Sequence, residues 1–365
     1  MIEAVELNRY PEMPPPATAD PRVEEFVQET GREAAFLPKL SSQLRPVAQL
    51  AVRRLFGRKS PFQVTFSLTN RCNFRCEYCD IPLQHREEMT TGQWFQCIDE
   101  FTAGGMGRAS VIGGEPLLRE DAGEIIRYLK KLGVHAAMNT NGWFVKERIE
   151  DVRALDLVCV TLDGPVEIHD KQRHPESHRR AIEAIEILKS RGVPVVTMTV
   201  ITPQGAERVD YVLEIARQYG HKAYFQLEHD RSCDVYAPVA PRIHDQGIAA
   251  LARRLMQMKR EGLPVGNSIP VLEMYVRDGR RIGGSCADCF AGSYYAYVMC
   301  DGTVAPCLLT QRQPEQQNGL KHGFLKAFQE MTAPEGPGCA CVPVHEVNQM
   351  LAFNLRVLWS ALELV

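Results

Sequence analysis

The sequence contains no run of 18 or more apolar residues, which excludes a membrane-spanning helix of ordinary length. It also carries little net charge. Its 42 lysines and arginines nearly balance 45 aspartates and glutamates, so composition gives no reason to expect nucleic acid as a partner. The first thirty residues have no apolar signal-peptide core. We therefore expect a cytoplasmic protein.

Twelve cysteines are present, and a reducing cytoplasm makes disulfides an improbable use for them. Clustered cysteines in such a protein indicate metal ligands. Cys97 and Cys159 stand alone inside predicted elements, where we expect buried apolar thiols. Cys233 follows the last predicted strand, and a redox or radical-quenching role there is an open alternative.

Strand-like and helix-like patterns alternate from residue 62 to about residue 228, which predicts parallel strands joined by helical crossovers. The predicted strands cover residues 62–68, 109–112, 135–138, 157–162, 193–201 and 223–227. The predicted helices cover about residues 91–103, 121–132, 145–154, 178–191 and 207–219. In such α/β folds, functional sites gather at the carboxyl ends of the strands.

Around this α/β core we predict three further regions. They are a polar and helical N-terminal extension (1–60), a linker with helices (233–285) and a Cys-rich C-terminal domain with a terminal helix (286–365), the core itself being residues 61–232. An apolar stripe within 44–55 is flanked by arginines, and such a basic helix can contact a membrane surface or pack on the core.

Three cysteines follow the first predicted strand with the spacing Cys72-x3-Cys76-x2-Cys79. Three thiolates can hold three irons of a 4Fe–4S cubane and leave the fourth iron open to a small molecule. Electron-transfer clusters and structural zinc sites normally have four protein ligands. The alternatives are half of a zinc knuckle or a redox-active pair formed by Cys76 and Cys79.

Polar and glycine-rich turns follow the later strands. Gly113 and Gly114 let the backbone pass close to a ligand, Glu115 can anchor the turn, and Pro116 can begin a helix. The next strand ends carry side chains that can bind polar groups or simply cap turns, namely Asn139, Asn141, Thr161 and Asp163, with His169, Asp170, Arg173 and His174 just beyond.

The cysteine loop, with Tyr78 before its last cysteine, and the Gly113–Pro116 turn about forty residues later resemble the radical S-adenosylmethionine (SAM) superfamily. The resemblance implies a partial (βα)6 barrel, a 4Fe–4S cluster on Cys72, Cys76 and Cys79, and SAM on the open iron. It also implies that Gly113–Pro116 receives the methionine amino group. Thr161 and Asp163 would lie beside the SAM ribose and carboxylate, and Ile201 would pack on adenine.

The tail spacing Cys289-x12-Gly302-x4-Cys307 is similar to the opening of the auxiliary-cluster domains called SPASM and twitch. It implies a second 4Fe–4S cluster, completed by Cys339 and Cys341. Because that pair departs from the usual Cys-x2-Cys, Cys286 is a possible substitute. A structural zinc ribbon is the alternative.

From these features we predict a radical SAM oxidoreductase. Its substrate is expected to be a small molecule, sugar or lipid-linked compound, and its electron donor a flavodoxin or ferredoxin. One alternative is a maturase of a ribosomal peptide or protein. Another is a non-catalytic iron–sulfur or zinc protein, which would have no use for an amino-acid-binding turn at Gly113–Pro116.

Overall fold

The structure, a computed structural model, describes residues 21–30, 50–76, 79–201, 206–227, 245–279, 289–308, 316–332 and 341–357. Its strands are β1 Gln63–Ser67, β2 Arg108–Ile112, β3 His135–Thr140, β4 Leu157–Thr161, β5 Val195–Ile201, β6 Lys222–Leu227, β7 Tyr295–Val298, β8 Thr303–Ala305 and β9 Gln317–Asn318. Its main helices are α1 Pro21–Thr30, α2 Thr91–Ala103, α3 Ala122–Lys131, α4 Ile149–Val152, α5 Val166–Gln172, α6 Ser177–Ser190, α7 Ala206–Tyr219, α8 Asp245–Arg260, α9 Ile269–Asp278, α10 Gly319–His322, α11 Phe324–Glu330 and α12 Val342–Leu351.

The nine strands form one sheet in the order β6-β5-β4-β3-β2-β1-β7-β8-β9. Strands β1 to β7 pair in parallel, whereas β8 and β9 pair antiparallel. The predicted α/β class is confirmed. Within the described residues the sheet stays open and does not close into a full barrel, as a partial barrel requires.

Alternate residues of each strand face opposite sides of the sheet, as the period of two dictates. One side packs against the helices, and its residues are almost fully buried in the main core: Val64, Phe66, Ala109, Val111, Ala136, Met138, Val158, Val160, Ala223 and Phe225. We call the other side the inner face. On β1 to β3 it carries Gln63, Thr65, Ser67, Arg108, Ser110, Ile112, His135, Ala137 and Asn139. It is therefore mainly polar.

The predicted strands and helices of the core agree with the structure to within a few residues, except that helix 145–154 shrinks to Ile149–Val152. The predicted C-terminal helix is also too long. Helix α12 ends at Leu351, Phe353 adopts a left-handed φ of 56°, and Leu355 is 79% exposed. The sequence predicts one apolar face of this helix through Val347, Leu351, Leu355, Leu358 and Leu362, of which Leu358 and Leu362 lie outside the described residues.

The basic N-terminal helix is described only from residue 50. There the predicted stripe is wrong, because Leu55 is 81% exposed while Leu50 is buried against Phe62, Tyr294 and Leu351. None of the described helices is long and apolar enough to cross a membrane.

The tail continues the main sheet through β7, which pairs with β1. Val298, Val304 and Phe324 belong to the same hydrophobic core as the β1–β6 region. The predicted domain division at residue 286 stays a prediction.

Candidate functional site

The cysteine loop begins directly after β1 and is anchored by Phe74, which is 1% exposed. The Phe74 ring stacks on His174 at 5.4 Å between centroids and meets Trp143 edge-on at 5.6 Å. These two ring contacts of Phe74 hold the loop in place. Sequence reasoning missed this anchor, although a phenylalanine among cysteines and polar residues was a usable signal.

The thiols of the loop lie among hydrogen-bond donors. The Phe74 N–H is 3.4 Å from Cys72 Sγ, and Asn141 Nδ2 lies 3.9 Å from the same sulfur. Arg173 Nη1 lies 3.9 Å from Cys76 Sγ. Donors around cysteine sulfurs stabilise the thiolate form that binds iron.

The three thiols are close enough to influence one another's ionisation. Burial raises the pKa of Cys72 to about 12, and the negative charges of Glu115, Cys76 and Cys79 add to the increase. Thiols in such surroundings ionise when a metal binds. In the described part of the chain, no three potential ligands converge on a single metal ion. A cubane fits this arrangement, because each thiolate then binds its own iron.

The glycine turn after β2 packs directly on the strand that leads to the cysteine loop. The Gly114 N–H donates to Thr69 O at 2.7 Å, and the Glu115 N–H donates to Arg71 O at 2.8 Å. A Cβ on Gly113 would lie 2.3 Å from Thr69 O, and one on Gly114 would lie 2.1 Å from Arg71 O. These glycines are thus required by backbone-to-backbone contact. The N–H groups of Gly114 and Glu115 therefore donate within the protein and not to a ligand.

Glu115 ties the glycine turn to the end of β3. Its carboxylate is fully buried and accepts hydrogen bonds from Thr140 Oγ1 at 3.0 Å, the Asn141 N–H at 2.8 Å and the Leu117 N–H at 3.1 Å. Burial raises the pKa of Glu115 to about 7, although these three donors oppose the increase. The predicted anchoring role therefore has a definite partner set.

Asn139 and Asn141, at that strand end, differ in exposure. Asn141 is buried, donates to Asn73 Oδ1 at 2.8 Å and accepts from the Trp143 N–H. Asn139 is exposed on the inner face, where a ligand can reach it. Thr161 is partly exposed, and its hydroxyl oxygen Oγ1 lies 3.4 Å from the carbonyl oxygen of Thr140.

Asp163 and Arg173 form a buried ion pair beside the cysteine loop, with Arg173 Nε 2.6 Å from Asp163 Oδ2. Asp163 also accepts the Val200 N–H at 3.0 Å. Burial alone raises the pKa of Asp163, but the charge and hydrogen bonds of Arg173 outweigh it and the net pKa is lowered. The His169 Nδ1 atom accepts the Asp163 N–H at 3.0 Å. Burial, with the charge of Arg173, lowers the pKa of His169 to about 3.

Ile201 and Tyr78 were also associated with SAM binding in the sequence. Ile201 is 1% exposed and belongs to the main core on the helix side, so it is wrongly placed to pack on adenine. By the period of two, Val200 faces the inner side, and it is partly accessible. Tyr78 lies outside the described residues.

A second group of cysteines lies in the tail. Burial raises the pKa of Cys341 to about 12, with Cys307 and Cys289 adding to the increase, so the three thiols are neighbours. Asn348 Nδ2 lies 3.2 Å from Cys289 Sγ. Cys307 also packs with Ala291 and Tyr295. Predicted ligands Cys339 and Cys286 lie outside the described residues, as does Cys233.

The three other described cysteines have little exposure to solvent. Cys97, Cys159 and Cys300 are buried, at 0%, 6% and 0% exposure. The charged groups that affect Cys300 are those of Glu88, Asp301, Arg86 and Arg119, with no other cysteine among them.

The tail cysteines lie between the two edge strands of the β1–β6 region. The Tyr295 hydroxyl is 3.0 Å from Thr65 Oγ1 on β1. The Val342 N–H, next to Cys341, donates to Gln226 Oε1 on β6 at 2.9 Å. The tail thus contacts both edges of the open part of the sheet.

Residues 66–217 match the sequence profile of the radical SAM superfamily. These residues form a radical SAM domain. The family implies a 4Fe–4S cluster and SAM, and the donor set of Cys72, Cys76 and Cys79 fits that cluster.

Curated relatives are similar to this part of the chain. The AdoMet-dependent heme synthase of Methanosarcina barkeri is 31% identical over 176 residues, covering 45% of this chain and 50% of the relative. The PqqA peptide cyclase of Xanthomonas campestris is 31% identical over 171 residues, covering 44% and 45%. The chain therefore spans about half the length of these curated relatives.

Solved structures share the fold at low identity. Streptococcus suis SuiB bound to S-adenosylmethionine has a TM-score of 0.63 at 15% identity, covering 77% of this chain and 68% of that one. The anSMEcpe structure with bound AdoMet has a TM-score of 0.58 at 15% identity, covering 82% and 95%. At such identities the likeness concerns the fold alone.

Proposed function

We propose that the protein is a radical SAM enzyme that modifies a peptide. The observation that carries the proposal is the loop of Cys72, Cys76 and Cys79, three neighbouring thiols fixed by buried polar groups at the carboxyl end of a parallel sheet. When bound, a reduced 4Fe–4S cluster with SAM supplies a 5′-deoxyadenosyl radical that abstracts hydrogen from a substrate C–H bond.

The residues of this chain position that chemistry and protect it. The three cysteines would hold the cluster. Asn141 and Arg173 direct donors at two of the sulfurs and so favour bound thiolates. Asp163 holds Arg173 in place through a buried ion pair, whose geometry a solvent-exposed pair would not maintain. The sheet and helices around the loop limit the access of water to a reactive radical.

Peptide substrates are supported by the named relatives and neighbours. One relative is a PqqA peptide cyclase, SuiB has been solved with its precursor peptide SuiA, and anSMEcpe has been solved with a peptide. These comparisons favour a peptide over the small molecule, sugar or lipid-linked substrate expected from sequence. A small molecule remains the second candidate, because the other curated relative is named as a heme synthase.

We extend the proposal to an auxiliary 4Fe–4S cluster in the tail. Its support is the group of Cys289, Cys307 and Cys341, with Cys339 as the fourth ligand expected from sequence. A cluster between β1 and β6 would be well placed to accept the electron that a substrate radical releases. The proposed reaction is accordingly a net oxidation, with a flavodoxin or ferredoxin as the external electron donor.

The test is anaerobic reconstitution with iron and sulfide, followed by dithionite reduction in the presence of SAM. We expect formation of 5′-deoxyadenosine and methionine by the wild-type protein. A protein that binds about four irons or more but never cleaves SAM would be an iron–sulfur carrier, and the proposed enzyme function would be wrong.

A further inference from the structure

An accessible track runs along the inner face from the cysteine loop to the opposite end of β2 and β3. On β2 the inner-face residues Arg108 and Ser110 are partly accessible, and on β3 so are His135 and Ala137, while Asn139 is exposed. Their neighbours on the helix side are almost fully buried. Ser110 and Ala137, which lie one inner-face position further along β2 and β3 than Arg108 and His135, have small side chains.

Arg108 lies at the end of this track, and in the described part of the chain no side chain forms an ion pair with it. Within the described residues, its guanidinium makes no hydrogen bond and no ion pair within 4.0 Å. Burial lowers the pKa of Arg108, so the group is enclosed although it remains partly accessible. An enclosed charge without a partner is costly to the fold, and such groups are usually paired.

The acidic group that acts most strongly on Arg108 already has other partners. Asp156 is the main negative charge that acts on Arg108, but its carboxylate binds Lys130 Nζ and accepts the Ala136 N–H at 2.7 Å. Lys130 is 4% exposed, so the cation of this pair is buried, whereas Asp156 is partly exposed. Lys130 thus balances the negative charge of Asp156. Within the described residues, no ion pair balances the positive charge of Arg108.

His135 stands beside Arg108, because the two residues are register partners across β2 and β3. Its Nδ1 atom is buried and has no hydrogen-bond partner within the described residues. Burial, together with the charge of Arg108, lowers the pKa of His135 to about 4, so the ring is neutral at pH 7. The pair therefore presents one positive charge and one neutral polar ring.

We propose that Arg108, assisted by His135, binds a carboxylate of the substrate at the end of the inner face opposite the cysteine loop. This inference rests on the proposed function, and it narrows the substrate to one that carries a carboxylate. Arg108 would act as a positioning residue. It would hold one end of the substrate while another part reaches the cysteine loop.

The charge and shape of the site favour a carboxylate over a phosphate. A guanidinium binds a planar carboxylate through two parallel hydrogen bonds. A single positive charge also matches a monoanion better than a phosphate dianion. The length of β2 from Arg108 to Ile112 corresponds to about 13 Å, at roughly 3.3 Å a residue. The substrate must therefore be extended, as four residues of a peptide would be.

The test measures binding of simple probes to the reconstituted full-length protein by calorimetry. The probes are glutarate, its neutral counterpart glutaramide, and inorganic phosphate. The variant is Arg108→Met, and the matched control is Arg191→Met, which removes an exposed arginine from another surface. We expect saturable glutarate binding by the wild type and by the control. Arg108→Met should weaken it roughly tenfold or more, as expected for one bidentate charge pair.

Several outcomes would overturn the proposal: no saturable binding of glutarate by the wild type, equal affinity in Arg108→Met, or equal binding of glutaramide. Arg108-dependent binding of phosphate alone would overturn the assignment to a carboxylate.

The midpoint of thermal unfolding gives an independent check. Because Arg108→Met removes an enclosed charge that has no ion-pair partner, the unfolding midpoint should stay unchanged or rise. A lower midpoint would assign Arg108 a structural role.

SAM cleavage by the wild type is measured in the same preparations. Its absence would refute the proposed function and leave the carboxylate-binding result standing on its own.

Discussion

The cysteine loop after β1 and the cysteine group of the tail are held in place by different forces. The loop takes its three thiols from eight consecutive residues and lies among buried carboxylates and their donors, chiefly Glu115 and Asp163. The tail group draws Cys289, Cys307 and Cys341 from separate segments.

Packing dominates in the tail. Ala291, Tyr295 and Cys307 form a small apolar cluster there, and Asn348 supplies one amide donor to a sulfur. Exposure does not separate the two regions, because Cys72, Cys76, Cys79, Cys289 and Cys341 are all partly exposed and only Cys307 is buried. The difference lies in the fixed polar groups, which are numerous at the loop and few in the tail. Under the proposed function, SAM binds at the loop, where those polar groups lie.

The largest effect should come from replacing Cys72, Cys76 and Cys79 together by alanine. SAM cleavage should disappear, because no thiolate remains to hold the iron that binds SAM. Bound iron should fall from about eight to about four per chain, the content of one cubane. Iron analysis and chromatographic assay of 5′-deoxyadenosine provide the measurement.

The matched control for that variant is the triple replacement of Cys289, Cys307 and Cys341 by alanine, which should also retain about four irons. Full SAM cleavage by the Cys72/Cys76/Cys79 variant would remove the distinction between the two regions.

Acid should act on the polar surroundings of the loop through His169. His169 has a pKa of about 3 when folded, against about 6.5 when unfolded, so the unfolded chain binds more protons at this residue between these values. The contribution of His169 to stability is therefore complete above about pH 6.5 and falls by about 1.4 kcal/mol per pH unit as the pH decreases toward 3. His169→Asn, which keeps an acceptor for the Asp163 N–H, should reduce this slope.

Denaturant unfolding at several pH values provides the measurement, with replacement of the exposed His85 by Asn as the control. Equal slopes in the wild type and His169→Asn would show that His169 does not ionise differently on unfolding.

The contact between the glycine turn and the cysteine loop should be sensitive to a single methyl group. Gly114→Ala places a Cβ about 2.1 Å from Arg71 O, and two backbone segments must separate. We expect a loss of about 3 kcal/mol in unfolding free energy and of the iron bound by the loop.

Gly192→Ala is the control, since its Cβ meets nothing within 4 Å. Its strain of about 1 kcal/mol comes only from a φ of +69°. A Gly114→Ala protein with full iron and a cost no larger than that of Gly192→Ala would refute the tight contact.

The smallest effect is expected at Tyr295, where packing should dominate. Tyr295→Phe removes the hydrogen bond to Thr65 and keeps the ring, so the cost should be about 1 kcal/mol with all iron retained. Chemical unfolding and iron analysis measure both quantities. Loss of the tail iron would show that a polar contact, and not shape, holds this region.

Local sequence patterns predicted much of the fold, and they also pointed to the loop cysteines as a candidate site. Strands β1 to β6 lie close to their predicted positions, because alternating and apolar runs carry that information. The three loop cysteines are a local motif that needs no knowledge of the fold.

Contacts between distant residues could not be predicted in the same way. The Gly114 turn meets Arg71, and Glu115 meets Asn141, only because adjacent parallel strands end at the same edge. Ile201 was misassigned for a related reason. In Val195–Ile201 apolar residues stand on both faces, so the pattern does not say which face a residue occupies. The free charge of Arg108 likewise depends on Asp156 being bound to Lys130.

The most direct test of the contrast between loop and tail is electron paramagnetic resonance of the reconstituted, dithionite-reduced protein, recorded with and without SAM. The account predicts signals from two clusters, of which SAM perturbs one. In the Cys72/Cys76/Cys79→Ala variant the perturbed signal should be missing, and the remaining signal should not respond to SAM. A signal that persists in that variant and still shifts when SAM is added would contradict the account, because SAM would then bind at the tail.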